Sequence, residues 1–267
     1  MAYLGVLVVL PLAALLARGA ATPWGRIVDL LSSPRILASL RVSLVCSAVA
    51  AAIAVVLGAA VAWALGRYRF PGHAILDAAV EVPLALPTSV AGITLTYLYG
   101  EHGWIGQLLV AAGLPVVAFT RAGIIVALVF VGLPFSVRAV QTVVLEMDPQ
   151  LEEAARALGA SRLQTLWRVQ MPVLTHAIIT GFSLSFARGV GEYGSVLFIS
   201  GNLPFKTEIG PLLVVTQLDQ YDYEGACVVA LLLLSASLGV LALTQWLERW
   251  ASRRFEGDRR TRRGIVA

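Results

Sequence analysis

The residues able to do chemistry are few and unusually placed. Arg188 and Glu192 lie four apart inside a long apolar run, so on a helix they share one face. Charges within a span are costly and turn toward a protein interior or a water-filled path. Two readings are open: Arg188 lends positive potential to an anion pathway beside Glu192, or the two form a structural ion pair. Glu81 and Arg138 fall near the inner ends of other apolar runs, where long side chains reach for the interface. Pro83 and Pro87 interrupt a further run and free backbone carbonyls there. With Thr88 and Ser89 they line a path, or they kink a packed helix. His73, His102 and His176 are scattered with no HExxH or comparable spacing, so no metal site is expected. Cys46 and Cys227 form no CxxC pair and read as small hydrophobes. No nucleophile and base stand at matched positions, as an intramembrane enzyme would need. The only lysine, Lys206, follows Phe205, so no Gly-x4-Gly-Lys-Ser/Thr loop exists. The chain is expected to hold no cofactor and to leave any ATP to another polypeptide.

These residues must be positioned by elements suited to lipid. The 267 residues are 58% hydrophobic and 13% charged, with a mean hydropathy of +0.81. Soluble domains run at about 45–50% apolar and about 25% charged. Six apolar segments stand out: Tyr3–Ala17, Val42–Leu65, Ala78–Tyr99, Ala122–Val144, Val173–Ile199 and Ala226–Leu247. A helix needs about 20 residues to cross the hydrocarbon core, and all but the first clear that length. No basic residue precedes the first segment and the cleavage motif near Ala20 is poor, which favours a transmembrane helix over a signal peptide. The expected fold is all-α and polytopic, with about six transmembrane helices over residues 1–250 and a basic tail over 251–267. With the C-terminus in the cytoplasm, the inner loops (66–77, 145–172 and the tail) carry twelve of the twenty Lys and Arg, and the outer loops six. The bias is imperfect, because Arg18, Arg26, Arg35 and Arg41 fall in the first outer loop. The tail arginines suit anionic lipid, and no nucleic-acid partner is expected. No convincing internal repeat of the kind common in secondary transporters is present.

One inner loop, 145–172, is polar yet built to fold. Asp148 can cap a helix whose first position is Pro149. Glu152 and Glu153 sit early, where the helix dipole favours negative charge. Gly159 can end the helix in a left-handed cap, and Ser161 to Gln164 forms a Ser-x-x-Gln box that starts a second stretch. Pro172 then opens the fifth span. On these grounds alone the loop is a short helix on the inner face, either a plain interfacial connector or a docking element.

The same loop carries Glu153-Ala154-Ala155, three residues, Gly159, nine residues, Val169, one residue, then Met171-Pro172. This resembles the EAA signature of the permease subunits of ABC importers, EAA-x3-G-x9-I-x-L-P, with Val169 and Met171 as mild substitutions. Arg67-Tyr68-Arg69-Phe70-Pro71-Gly72, Pro83–Gly92, Gly191–Ser195 with Ile199–Asn202, Lys206-Thr207-Glu208 and Tyr221-Asp222-Tyr223 are similar to the sulfate/thiosulfate permeases, T-type subunit, and secondarily to the molybdate permeases. The likeness runs from about residue 25 to 250, and the N-terminus lacks the family's basic lead. It implies a MetI-like fold in the inner cell membrane and a cytoplasmic coupling helix in which Glu153, Ala154, Ala155 and Gly159 meet an ATPase. It further implies two ATPase copies that bind the ATP, a W-type sister permease and an external sulfate-binding protein. Sulfate or thiosulfate is the implied substrate, with molybdate or tungstate as the alternative.

Overall fold

The computed structural model describes residues 5–263, with side chains described as far as residue 246 except that of Val8. Among them every regular element is a helix. A π-helical turn, Gly5–Val9, leads into α1 (Leu10–Ala21), and α2 (Trp24–Ser32) and α3 (Pro34–Arg67) follow. Tyr3, at the start of the first expected segment, lies outside the described residues. Next come α4 (His73–Ala85), α5 (Thr88–Tyr99), α6 (Trp104–Ala111), α7 (Arg121–Glu146), α8 (Pro149–Ala157) and α9 (Arg162–Thr165). A second π-helical turn, Leu166–Gln170, joins α9 to α10 (Met171–Val190). The chain continues through α11 (Gly194–Ser200), α12 (Gly210–Asp219) and α13 (Tyr223–Arg263). Four helices among the described residues are long and apolar enough to cross a membrane: Pro34–Arg67, Arg121–Glu146, Arg162–Val190 and Tyr223–Trp246. Two bent helix pairs raise that number to six.

Two of the expected spans are broken. The third segment splits into α4 and α5 with a sharp bend at Leu86–Pro87. A residue before proline is pushed out of the α region, and Pro87 donates no hydrogen bond, so the break falls there while Pro83 stays inside α4. The fifth segment stops at Val190, and α11 begins only at Gly194. Arg188 and Glu192 therefore do not share a helix face, because Glu192 lies beyond the end of α10. The tail expected over 251–267 continues α13 as helix to Arg263, and residues 264–267 lie outside the described residues.

The contacts divide into two compact units. The first takes the chain up to Val49, Leu86–Leu128 and Gly189–Leu238. One close seam in it joins α5 to α11. Gly92 is buried there, and a Cβ on it would lie 2.5 Å from the carbonyl oxygen of Ser195. Backbone cannot yield as a flexible side chain does, so Gly92→Ala is expected to force α5 off α11 and cost about 1–3 kcal/mol. Gly25→Ala, where a Cβ meets nothing within 4 Å, is the control, and both are read as detergent unfolding temperature. Equal temperatures for the two variants would refute the close fit. The unit also pairs its charges. Arg35 holds Glu208 through two bonds of 2.8 and 2.6 Å, and Arg26 reaches Asp222 at 2.8 Å. Two of the four arginines that weaken the charge bias of the first loop are thus neutralised by acids of this same unit.

The second unit takes Ala50–Ala85, Val129–Arg188 and the chain from Gly239. Its core gathers Ala62, Leu65, Val80, Val137, Val140, Val144, Leu174 and Ala177. Small residues let α7 and α10 meet closely: Ser136 Oγ lies 2.7 Å from Ser185 Oγ, and Ser185 Oγ donates to Gly132 O at 2.7 Å. Gly132, Ser136, Gly181 and Ser185 recur at four-residue spacing along one face of each helix, the pattern by which spans pack without a hydrophobic driving force.

Candidate functional site: the polar loop 145–172 and the α5–α11 junction

The polar loop folds as its sequence requires. Asp148 Oδ1 accepts from Gln150 N at 2.9 Å, and Pro149 opens α8. At the other end Gly159 takes a φ of +81°. Gly159 N donates to Arg156 O at 2.9 Å and Ala160 N to Ala155 O at 3.0 Å. These two bonds form a Schellman closure, which needs a residue at positive φ in the Gly159 position. Ser161 and Gln164 complete the reciprocal capping box. The start of the fifth span differs from expectation. Pro172 does not open it, because the helix runs unbroken from Arg162 to Val190. Proline removes one i→i−4 bond, and the wider π turn at Leu166–Gln170 takes up that loss just before it.

No residue of α8 is buried. Glu153 and Ala154 are exposed, Ala155 is half-buried, and Leu158 at the helix end is 89% exposed. The four residues singled out by the sequence, Glu153, Ala154, Ala155 and Gly159, thus lie together on a short, capped, outward-facing helix. Small side chains at 154 and 155 permit close approach of another surface, and Glu153 makes no ion pair among the described residues.

Sequence reasoning missed the contacts that hold this helix in place. Glu152, the neighbour of the motif glutamate, pairs with Arg67 at the end of α3 and lies 3.6 Å from Arg156. Arg67 also stacks over Trp63, 5.5 Å from the ring centroid. Beside this pair a cavity of about 690 Å³ is lined by Trp63, Arg67, Arg156, Arg162 and Gln170, among others. The only signal for the pair was opposite charge on two loops expected on the same side, 85 positions apart, and periodicity does not report such a contact. Arg138 and Glu81, both expected to reach for the interface, are bonded to each other at 2.5 Å, and Arg138 also holds Asp77 at 2.6 Å.

The other residues singled out fall at the breaks. Thr88 and Ser89 open α5. Both sit against Gly194, the first residue of α11, whose missing side chain admits Thr88. Glu192 is 1% exposed, and its Oε1 accepts from Ser195 N at 3.0 Å and Ser195 Oγ at 2.9 Å. Its carboxylate therefore caps the first turn of α11, where the helix dipole favours it. Within the first unit the structure brings Thr88, Ser89 and Glu192 to one junction. Arg188 belongs to the second unit and lies near the C-terminus of α10, half-buried.

Comparison with known proteins agrees with this architecture. Residues 54–256 match the family described as binding-protein-dependent transport system inner membrane component. The sulfate transport system permease protein CysT of Synechococcus elongatus is 44% identical over 251 residues, covering 94% of this chain and 90% of that one. A probable sulfate transport system permease protein of Chlorokybus atmophyticus is 45% identical over 241 residues, 90% of this chain and 84% of that one. Among solved structures, a chain of a bacterial alginate ABC transporter in complex with an alginate pentasaccharide-bound periplasmic protein superposes with a TM-score of 0.73. It covers 92% of this chain and 90% of its own at 16% identity, a likeness of fold alone. The protein is an all-α, multi-pass membrane protein, and it belongs to the family of binding-protein-dependent transport system inner membrane components.

Proposed function

We propose that this chain is the permease subunit of an ATP-driven importer of sulfate or thiosulfate, moving the anion by alternating access. The observation that carries the importer class is α8: a capped helix with no buried residue, bearing the EAA pattern and ending in a glycine at positive φ. Such a helix is made to be gripped. Glu153, Ala154, Ala155 and Gly159 meet one of two ATPase copies in the cytoplasm, and the loop 145–172 passes their closure into the spans. Residues 1–250 form the membrane domain and 251–267 a basic tail on the cytoplasmic side of the inner membrane. A W-type sister subunit completes the pore, and an external sulfate-binding protein delivers the substrate. Thr88, Ser89 and Arg188 border the path the anion takes, with Glu192 fixing α11 beside it. Sulfate is supported by the names of the similar permeases, which span nearly the whole chain.

Loss of this chain is expected to abolish high-affinity sulfate uptake by the cell and to leave molybdate uptake intact. Labelled sulfate, thiosulfate and molybdate are measured in cells with and without it. Loss of molybdate uptake with sulfate uptake preserved would reverse the choice of anion, and robust ATP hydrolysis by the chain alone would remove the permease reading.

A further inference from the structure

Two outer arginines, Arg41 and Arg121, have a different setting from Arg26 and Arg35. Arg41, on α3, and Arg121, at the start of α7, line one cavity of about 380 Å³ in the first unit, together with Leu37, Cys46 and Phe205. No acidic residue lines it. Arg41 makes no ion pair among the described residues. Among the described residues one bond holds Arg121, Nε donating to Lys206 O at 2.8 Å. The walls are apolar apart from the two guanidinium groups, and low-dielectric walls focus the field of like charges into the space between them. The rim is also conformationally costly. Phe205 (φ +63°) lines the cavity, and Asn202 (φ +47°) and Phe119 (φ +62°) stand within three residues of Phe205 and Arg121 in sequence. Bulky residues persist at positive φ only where their surroundings over-determine them, and such sites cluster around ligands. The charge rule for loops gives no reason to place cations on this side. Arg26 and Arg35 are cancelled by acids, whereas the exposed Arg41 and Arg121 line a shared pocket.

We propose that the Arg41–Arg121 cavity is a reception site for a tetrahedral oxyanion on the outer side of the permease, where the dianion rests between its delivery protein and the spans. Arginine suits this task, since its planar fork meets sulfate- or phosphate-type oxygens two at a time. The proposal rests on the orientation and the anion-import reading above. A lipid phosphate has the same chemistry, so the test must separate the two sources.

The assembled transporter is prepared with Cys46→Ser, Cys227→Ser and Leu37→Cys, residue 37 being 52% exposed and on the cavity wall. Its reaction with an anionic sulfonate-bearing thiosulfonate and with a cationic trimethylammonium analogue is timed, each relative to a free thiol. The anionic reagent is expected to react about tenfold faster than the cationic one. Sulfate in the medium slows it, in vesicles of zwitterionic or of anionic lipid alike. Arg41→Gln with Arg121→Gln brings the ratio to about one, whereas Arg41→Lys with Arg121→Lys preserves it. A ratio near one with both arginines present overturns the proposal, as does a preference that survives the double glutamine variant. Protection by sulfate only in zwitterionic vesicles also overturns it, by assigning the cavity to a lipid headgroup. The reagent ratio is read without transport, so it stands or falls separately from the uptake assay that tests the function.

Discussion

Glu153→Lys and Gly159→Val are each expected to leave the protein in the membrane at normal abundance while cutting sulfate uptake about tenfold or more. Glu153 is exposed and makes no ion pair among the described residues, so reversing its charge disturbs no contact within the chain. Gly159 has open space around it, and a Cβ there meets nothing within 4 Å. The penalty of a valine is purely conformational: at φ +81° its Cβ crowds the backbone by about 1–2 kcal/mol. That is too little to unfold packed spans. It is enough to displace a docking helix, because about 1.4 kcal/mol already changes an equilibrium tenfold. Co-purification of the ATPase is expected to weaken in both variants, or ATP to be hydrolysed without import. Glu152→Gln is the informative contrast. It removes the partner of Arg67 and so loosens the base of α8 from α3, lowering thermal stability as well as uptake. A connector helix with no docking role would tolerate Glu153→Lys, since lysine suits an anionic leaflet. Normal uptake by that variant, at matched expression and ATPase recovery, would remove Glu153 from coupling.

Arg35→Ala should be the most destabilising single change among the ion pairs. Glu208 is 1% exposed and accepts both bonds from the one guanidinium. Removing the arginine leaves a buried carboxylate without its cation, which costs about 3–5 kcal/mol. Replacing both partners, Arg35→Met with Glu208→Leu, removes the charge along with the bond and should recover most of that loss. The comparison is made by unfolding temperature in detergent. A double variant as unstable as the sum of the two singles would show that the pair does not act as a unit.

The elements were legible to the extent that local chemistry dictates them. Val42–Leu65 carries no charge and falls wholly within the 34-residue α3. Asp148, Pro149, Gly159 and the Ser161–Gln164 box each specify a backbone state within a few residues, and all four took it. Failures came where one local signal was overridden by another or where distance intervened. Apolar composition favoured one span through 173–199, but Gly189, Gly191 and Gly194 permit the chain to leave the helix, and Glu192 caps α11 beyond the break. Spacing alone put Arg188 and Glu192 on one face, an inference that holds only while the helix does. The pairs Arg67–Glu152, Arg35–Glu208 and Arg138–Asp77 link positions between 61 and 173 apart, and no period in the sequence encodes such meetings.

The unbroken helix from Arg162 to Val190 makes loop and span a single beam. Its 29 residues extend about 43 Å at 1.5 Å per residue. A tilt of about 10° imposed at the Ser161 end therefore swings the far end by about 7 Å, roughly the width of a helix backbone with its side chains partly included. The beam has one irregular joint, the π turn at Leu166–Gln170, set just inside the end at which such a tilt is imposed. A joint so close to the point of load absorbs twist and leaves nearly the full arm length for displacement. In mechanical terms, stiffening that joint should change how the beam rotates about its own axis more than how far its tip travels.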